Sequence, residues 1–359
     1  MSDIALAAER LPPVGTLEEI WRDLDRTGAH SFFLTWPWIG TWLKTLPPSI
    51  QPMLLRATRA GELAGLALLT PRRGRLRGLI PVRQVWLNAT GDPALDCLTI
   101  EHNGFAVPGA GGDAQIDALE RSFRAGGIAA DELVLPGVPA GRRAVPGPLD
   151  RERISPAFRA PLAGSPEGIE PLLSRNARQQ LRRSMRAWER KGPLSVQVAG
   201  DADTALAYFE RMKELHVRSW TRRGRRHAFN HPFFEVFHRA LIVDGIDGGV
   251  DLMRISAGTH VLGYLYNFRR NGTVSSYQSG FDDTAPDLRP GYVCHALAMA
   301  HYATEGMAQY DFLAGINRLK QSFGPEHYEM YWRRLRKPKT VFRGEALLRR
   351  GVKMATGKT

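Results

Sequence analysis

Apolar residues recur along the chain with two different periods, and together they predict a mixed α/β protein. Leu206, Phe209, Met212 and Leu215 lie at helical spacing and predict a helix over residues 201–222. Shorter apolar runs bounded by turn residues predict strands. The order predicted for the second half of the chain is β-α-α-β-β-β-α-β-α, with the other elements at 194–199, 232–243, 251–256, 261–268, 273–279, 290–305, 308–316 and 317–323.

One predicted strand contains an acid. The helix before it has Pro290 near its first turn and Gly306 just past its end, the usual asymmetry of helix starts and stops. The apolar run that follows, AQYDFLAGI, carries Asp311 in its interior. A carboxylate in a buried strand is costly unless it is paired, hydrogen-bonded or used in chemistry.

The same order of elements occurs in the first half of the chain, which indicates an internal repeat. The matching pairs are Phe33 with Phe229, Trp38 with Phe234, and Gly65 with Gly263, at offsets of 196 to 198 residues. Aligning LVLPGV with DFLAGI places Leu133 opposite Asp311. The fold therefore accepts a leucine at this place, and the acid of the second copy is not needed to make the strand.

A tract rich in Pro and Gly, residues 135–168, separates the two copies and is predicted to be loop-like. We therefore expect an N-terminal lobe at 1–165, a C-terminal lobe at 166–345 and a basic tail at 346–359.

Composition indicates a folded protein of a reducing compartment. The chain has 359 residues, 43% of them hydrophobic, which is ample for a packed core. Its two cysteines, Cys97 and Cys294, exclude a disulfide framework and a cysteine-built zinc site. The first residues lack a basic segment followed by a long apolar run, and no later window is long and apolar enough to span a bilayer. We predict a cytoplasmic protein with no integral membrane segment and no metal.

The net charge of +13 suggests an anionic partner. Basic residues cluster in three places, at 174–192, 218–227 and 333–339. Each cluster is either a solvated surface or a contact for an anionic ligand. The first, a predicted helix, is the candidate for contact with tRNA or an anionic surface.

The loop DLRPGYV joins a strand region to a helix start, an arrangement in which backbone N–H groups can bind an anion. Arg289 adds a positive charge, and Gly291 allows close approach of the backbone. An ordinary helix start is the alternative interpretation.

Three stretches, LSRNARQQLRRSMRAWERKG, LHVRSWTRRG and LRPGYVCHALAMAHYATEGMAQYDFLAGINRLKQSFG, resemble the acetyltransferase domain of CelD/BcsL-type proteins. That family belongs to the GCN-related N-acetyltransferase (GNAT) superfamily and is related to the Fem-type peptidoglycan transferases. FLTWPWIGTWLKTL and GDPALDCLTI also resemble its N-terminal half, so the likeness covers about residues 33–324. Family members often carry Tyr immediately before the Lys equivalent to Lys320, where this chain has Leu319; Tyr328 lies downstream.

The resemblance implies tandem GNAT-like lobes and acyl transfer from an acyl thioester, most simply acetyl-CoA, to an amine. The second lobe would bind the acyl-CoA and the first would be a degenerate copy. The resemblance assigns cofactor binding to the loop and the helix start that follows it. These residues are Arg289, Pro290, Gly291, Tyr292 and Val293. The thioester carbonyl would be polarised by backbone N–H groups at a strand splay around residues 277–280.

The resemblance also suggests residues for proton transfer and substrate binding. Asp311 and His216 are the candidate bases, His216 because an unperturbed imidazole suits proton relay. The expected substrate-binding residues are Tyr277, Gln278, Lys320 and Trp220. Each has a structural alternative: Asp311 could pair with a nearby cation, His216 could be a satisfied core residue, and Lys320 could be a surface cation.

Two rival functions remain open at this stage. The donor could be aminoacyl-tRNA, as in the Fem-type relatives, with the basic helix holding phosphates. Alternatively, the chain could be a non-catalytic module that binds nucleic acid or an anionic surface. The amine acceptor is not specified by the sequence and could be a small molecule or a cell-envelope precursor.

Overall fold

A computed structural model describes residues 4–139, 146–162 and 169–356, with side chains up to residue 348. The helices are α1 (Val14–Thr27), α2 (Trp36–Thr45), α3 (Asp113–Arg124), α4 (Arg175–Glu189), α5 (Ala202–Arg222), α6 (Pro232–Gly245), α7 (Pro290–Thr304), α8 (Arg318–Phe323) and α9 (Thr340–Thr356). The strands are β1 (Ile4–Arg10), β2 (Met53–Arg59), β3 (Glu62–Leu76), β4 (Ile80–Leu87), β5 (Glu132–Pro139), β6 (Arg151–Pro161), β7 (Leu194–Val198), β8 (Val250–Ala257), β9 (His260–Arg270), β10 (Thr273–Phe281), β11 (Gln309–Ala314) and β12 (Glu326–Arg336).

The first of two compact units comprises Met1–Trp36, Leu46–Ile154 and Met330–Thr359. Its strands follow the order β1-β2-β3-β4-β5-β12. Neighbouring strands are antiparallel except for β4 and β5, which run parallel. Leu69 of β3, Phe123 of α3 and Leu133 of β5 are buried in one apolar core.

The second unit comprises Pro37–Thr45 and Ser155–Glu329. Its strands follow the order β7-β8-β9-β10-β11-β6, and only β10 and β11 run parallel. Successive residues of β9 point to opposite faces of the sheet. Tyr266 contacts Phe209 of α5 on one face, and Leu265 joins the core with Met299 of α7 on the other. Helices therefore cover both faces.

The predicted internal repeat is confirmed. Each copy has a strand, a helix, a 3-10 turn, a second helix, three antiparallel strands, a helix and a strand parallel to the third. Phe33 and Phe229 both lie in the 3-10 turns. The glycines aligned in LVLPGV and DFLAGI, Gly137 and Gly315, both have positive φ, 64° and 102°. The mixed α/β class with two successive copies is thus the observed fold.

The prediction of a loop-like tract at 135–168 is wrong in two places. Strand β5 continues to Pro139, and Arg151–Pro161 form β6. Proline removes a ladder donor and is tolerated at irregular positions of a sheet. Pro156 lies just past the register shift between β6 and β11, where its carbonyl accepts the Gly315 N–H at 2.9 Å. The expected lobe boundary at 165–166 lies outside the described residues.

Two C-terminal elements have no counterpart in the predicted order. Strand β12 follows α8 directly, and α9 runs to Thr356 through most of the predicted basic tail at 346–359. Residues 357–359 lie outside the described part of the chain. Five of the seven residues 333–339 are Arg or Lys, so the end of β12 shows little alternation of apolar and polar residues.

Candidate functional site

The sheet of the second unit opens between its two parallel strands. Their ladder has three residue pairs, and the last joins Ser275 to Asp311. Strand β10 nevertheless continues to Phe281, and its pairing with β9 shifts register between Ser276 and Gln278. The residues predicted for a strand splay, 277–280, lie in this stretch, where β10 no longer pairs with β11.

The side chain of Asp311 stabilises the turn at which β11 stops pairing with β10. The side chain is 2% exposed, and its Oδ1 accepts the Leu313 N–H at 2.7 Å. Leu313 has φ +62°, a conformation that costs about 1 kcal/mol or more outside glycine. In the other copy, Leu133 pairs with Val85 and the ladder continues by one more pair. The acid therefore accompanies a backbone turn that the first copy lacks.

Two further side chains meet at this turn. The Tyr328 hydroxyl lies 2.9 and 2.7 Å from the two carboxylate oxygens of Asp311 and donates its hydrogen to the carboxylate. Lys320 Nζ donates to the carbonyl oxygens of Leu313 at 3.1 Å and Ala314 at 2.6 Å. The structure thus brings two predicted residues, Asp311 and Lys320, together with Tyr328 at the end of β11.

His216 is fixed as a neutral hydrogen-bond acceptor. Its Nδ1 lies 2.9 Å from the Ser279 carbonyl of β10, so this nitrogen must carry the hydrogen. Its Nε2 is then a lone pair, and it is buried with no hydrogen-bond partner among the described residues. Trp220 stacks on the ring at 5.3 Å. Burial, aided by the charge of Arg223, lowers the pKa of His216 to about 4. The ordinary pKa expected for a proton relay is therefore absent.

We expect this buried imidazole to make the protein sensitive to acid. The pKa falls from 6.5 to about 4 on folding, so the unfolded chain binds the proton more tightly. The free energy of unfolding therefore falls by about 3 kcal/mol as the pH is lowered from 6.5 towards 4. His216→Asn keeps a donor for the Ser279 carbonyl but cannot titrate. Urea unfolding from pH 7 to 4 should show a shallower loss for this variant, and parallel curves would contradict the prediction.

The predicted anion cradle lies at the start of α7. Arg289 occupies the N-cap with φ +50°, and its guanidinium donates to Gln180 Oε1 at 2.5 Å. The Gly291 N–H donates to no group in the part of the chain that the structure describes. Such an N–H at the positive end of a helix is suited to an anion. Tyr292 packs edge-on against Phe323, with ring centroids 5.2 Å apart.

Not all five predicted cofactor residues are available to a ligand. Pro290 and Val293 are buried, so their side chains serve packing. A Cβ on Gly291 would lie 3.0 Å from the ring of Phe281, the last residue of β10. A larger residue would require the Phe281 ring to shift by a few tenths of an ångström, so glycine permits this close contact with β10. That contact places the start of α7 beside the opened end of the strand.

Tyr277, in the opened stretch, is hydrogen-bonded to a histidine that sequence reasoning missed. His238 is completely buried; its Nδ1 lies 3.2 Å from the Tyr266 hydroxyl and its Nε2 lies 3.2 Å from the Tyr277 hydroxyl. Burial lowers the pKa of His238 well below its usual value. Among the described residues Tyr266 has no other hydrogen-bond partner, so it donates to Nδ1. Nε2–H then donates to Tyr277.

Gln278 makes a local contact, because its Oε1 accepts the Ser279 N–H at 3.2 Å. Cys294 is fully buried, and burial raises the pKa of its thiol. Neither Tyr328 nor His238 stands at a spacing that marks it in the sequence. The sequence showed Tyr328 only as a tyrosine downstream of Lys320, and its contact with Asp311, like that of His238 with Tyr277, is found only in the structure.

Within residues 4–139, 146–162 and 169–356, no group of three or more His, Cys, Asp and Glu side chains could hold a metal ion. Over the same ranges, no helix has the length and apolar character needed to cross a membrane.

Comparison with known proteins agrees with this geometry. Residues 175–321 match the family described as Acetyltransferase (GNAT) domain. No curated protein sequence matches the chain. Among solved structures, FemX is similar over 90% of this chain and 96% of its own, with 12% identity and a TM-score of 0.55.

Two other structures are similar over most of their length. A conserved protein of unknown function from Bacteroides thetaiotaomicron covers 92% of this chain and 100% of its own, with 11% identity and a TM-score of 0.53. A tandem GNAT protein from the clavulanic acid biosynthesis pathway covers 92% and 98%, with 12% identity and a TM-score of 0.42. The chain shares its fold with FemX, and its residues 175–321 are similar to the acetyltransferase domain of the GNAT type.

Proposed function

We propose that the second unit transfers an acyl group from acyl-CoA, most simply acetyl-CoA, to the amine of a small molecule or a cell-envelope precursor. The observation that supports this best is the opening of the sheet after Ser275 and Asp311, beside the start of α7. It lies within the residues that match the GNAT domain.

The donor's pyrophosphate would bind at the start of α7. The Gly291 N–H and the Arg289 guanidinium provide a helix terminus and a positive charge for it. Strand β10 no longer pairs with β11 after Ser275, so its backbone lies at the opening of the sheet. Its backbone N–H groups could donate to the thioester carbonyl and stabilise the oxyanion that forms there.

The chemical step forms one bond and breaks one. The amine nitrogen attacks the carbonyl carbon, the C–N bond forms, and the C–S bond breaks with its electron pair on sulfur. The attacking amine also loses a proton. Because Tyr328 donates its hydroxyl hydrogen to Asp311, its oxygen can accept the amine proton while Asp311 takes the phenolic one.

His216 would orient the acceptor instead of deprotonating it. With a pKa of about 4 it is neutral at pH 7, and its Nε2 lone pair can accept one N–H. Reaching this buried atom requires a local movement of the chain around it. Lys320, already bound to the end of β11, would place a positive charge near an anionic part of the substrates.

One copy of the repeat would carry the chemistry. The first copy has Leu133 in place of Asp311 and no Pro-Gly-aromatic loop. The lobe formed by about residues 166–345 would therefore be catalytic, and the lobe at 1–165 would be a degenerate copy.

The direct test is thiol release from acetyl-CoA in the presence of a library of amines. We expect turnover with a subset of amines and, by calorimetry, one acetyl-CoA site per chain. Two equivalent sites would contradict the proposal that only the second copy binds the donor. Absence of both binding and turnover with acyl-CoA donors of several chain lengths would refute the proposed donor.

Arg289→Ala is expected to weaken acetyl-CoA binding about tenfold, because one charge-assisted contact to the pyrophosphate is lost. Arg211→Ala is the matched control, since Arg211 is exposed on α5 and pairs with Glu214 of the same helix. Calorimetry should show an unchanged dissociation constant for the control. Equal affinities of the two variants for acetyl-CoA would show that Arg289 does not bind the pyrophosphate.

A second donor, aminoacyl-tRNA, is favoured by one observation on α4 and the two residues that follow it. Five of the basic side chains at 174–192 are exposed and have no ion pair among the described residues: Arg175, Arg183, Arg186, Arg190 and Lys191. A row of such cations suits a phosphate backbone, and its contribution would fall steeply with salt. Salt-dependent tRNA binding without turnover of any acyl-CoA would favour this donor.

A further inference from the structure

The hairpin of β3 and β4 in the first unit ends in exposed apolar residues. Leu76 pairs with Ile80, and the turn between them contains Arg77 and Gly78 with φ of 51° and 75°. Leu79 is 77% exposed and Ile80 is 47% exposed. Large apolar side chains at a loop tip are unfavourable in water and indicate contact with another apolar phase.

Unpaired positive charges surround this tip. Arg73, Arg75 and Arg77 are exposed, and none has a carboxylate partner among the described residues. The acids nearby are occupied, since Asp92 pairs with Arg72, and Asp131 pairs with Arg83 and Lys339. The hairpin tip, defined as residues 73–80, is therefore both cationic and apolar.

Helix α9 adds to the same surface. Phe342 near its start packs in a small core with Leu76 and Val82 of the hairpin. Further along, Leu347 and Leu348 are 68% and 60% exposed. The acid of this segment, Glu345, is buried against Arg336 and Arg151, so it does not reduce the positive charge of the surface.

We propose that the hairpin tip, flanked by α9, docks the protein on an anionic lipid bilayer. Leu79 and Ile80 enter the boundary between headgroups and acyl chains, and the three arginines contact lipid phosphates. Nucleic acid would use the arginines but gives no apolar phase for the leucine and isoleucine. No aromatic residue for base stacking occurs between residues 70 and 85. This inference concerns the first unit and is independent of the proposed chemistry.

Co-sedimentation of the full chain with vesicles tests the proposal. We expect binding to phosphatidylcholine mixed with phosphatidylglycerol and little binding to phosphatidylcholine alone. The double variant Leu79→Ser, Ile80→Ser removes the apolar contact, and the triple variant Arg73→Gln, Arg75→Gln, Arg77→Gln removes the charges. Each should weaken vesicle binding about tenfold or more, because several small contributions are lost together.

Matched controls use exposed residues of the second unit. Val236→Ser with Val243→Ser removes two exposed valines of α6, and Arg211→Gln with Arg318→Gln removes two exposed arginines of α5 and α8 that lie outside the basic clusters. Both should bind vesicles as the parent chain does, and all variants should unfold at the parent's temperature. An equal loss in the controls, equal binding to neutral vesicles, or no vesicle binding at low salt would each overturn the proposal. Loss of RNA binding in the hairpin variants with vesicle binding unchanged would also overturn it, in favour of nucleic acid.

Discussion

Asp311→Asn is expected to lower kcat for acyl transfer about a hundredfold, the usual loss when a positioned acid–base group is removed. The amide oxygen can still accept the Leu313 N–H, so the turn at the end of β11 should keep its conformation. What disappears is the carboxylate that receives the Tyr328 hydroxyl hydrogen. Thiol release under saturating substrates measures the effect.

Tyr328→Phe is the matched variant, because it removes the hydroxyl and leaves the carboxylate in place. It should also lower kcat, and the double variant should be little worse than Asp311→Asn if the two groups act as a unit. Near-normal turnover by a folded Asp311→Asn protein would refute proton handling. The carboxylate would then serve only the turn at Leu313.

Glu132→Gln is expected to destabilise the first unit by about 1.5–3 kcal/mol, because it removes the charge that both Arg334 and Arg336 bond and leaves Glu345 as the remaining counter-ion of Arg336. Glu132 is 0% exposed, and its carboxylate pairs with Arg336 at 2.8 Å and Arg334 at 3.1 Å. Arg336 is itself 5% exposed. Chemical denaturation followed by circular dichroism should show an earlier unfolding transition.

Glu326→Gln provides the comparison at an exposed ion pair. Glu326 pairs with Arg159 at 3.0 Å, and the two side chains are 48% and 42% exposed. Exposed pairs contribute about 1 kcal/mol or less. Similar losses for both variants would show that burial does not decide the strength of the Glu132 network.

Periodicity and turn residues predicted most of the second unit. The helix expected at 201–222 is observed as Ala202–Arg222, and the strand expected at 273–279 as Thr273–Phe281. These elements are long or strongly periodic, so local sequence determines them. Strand β6 was missed because its prolines indicate a loop, whereas pairing with β11 makes a strand there.

Only part of the candidate site could be predicted from the sequence. The comparison with Leu133 singled out Asp311, and the loop before α7 singled out Arg289 and Gly291. The contact from Tyr328 joins residues 17 positions apart and depends on where β12 begins. The low pKa of His216 depends on burial, which no local pattern reports.

The basic stretch RRLRKPK shows that the sequence alone also does not reveal how charged residues are paired. By itself the sequence determined that five cations lie close together in residues 333–339, and the expected uses were solvent or an anionic ligand. The tertiary structure decided otherwise: Arg333 pairs with Glu120 and Glu152, and Lys339 with Asp131.

Their partners are about 180 to 210 positions away in the chain, so no local pattern could reveal them. The local sequence therefore determined the repeat and most of the helices and strands, and it identified Asp311 as an unusual acid in an apolar strand. Folding decided which charges neutralise each other and which remain for a ligand, because ion pairs depend on distance in space and on burial.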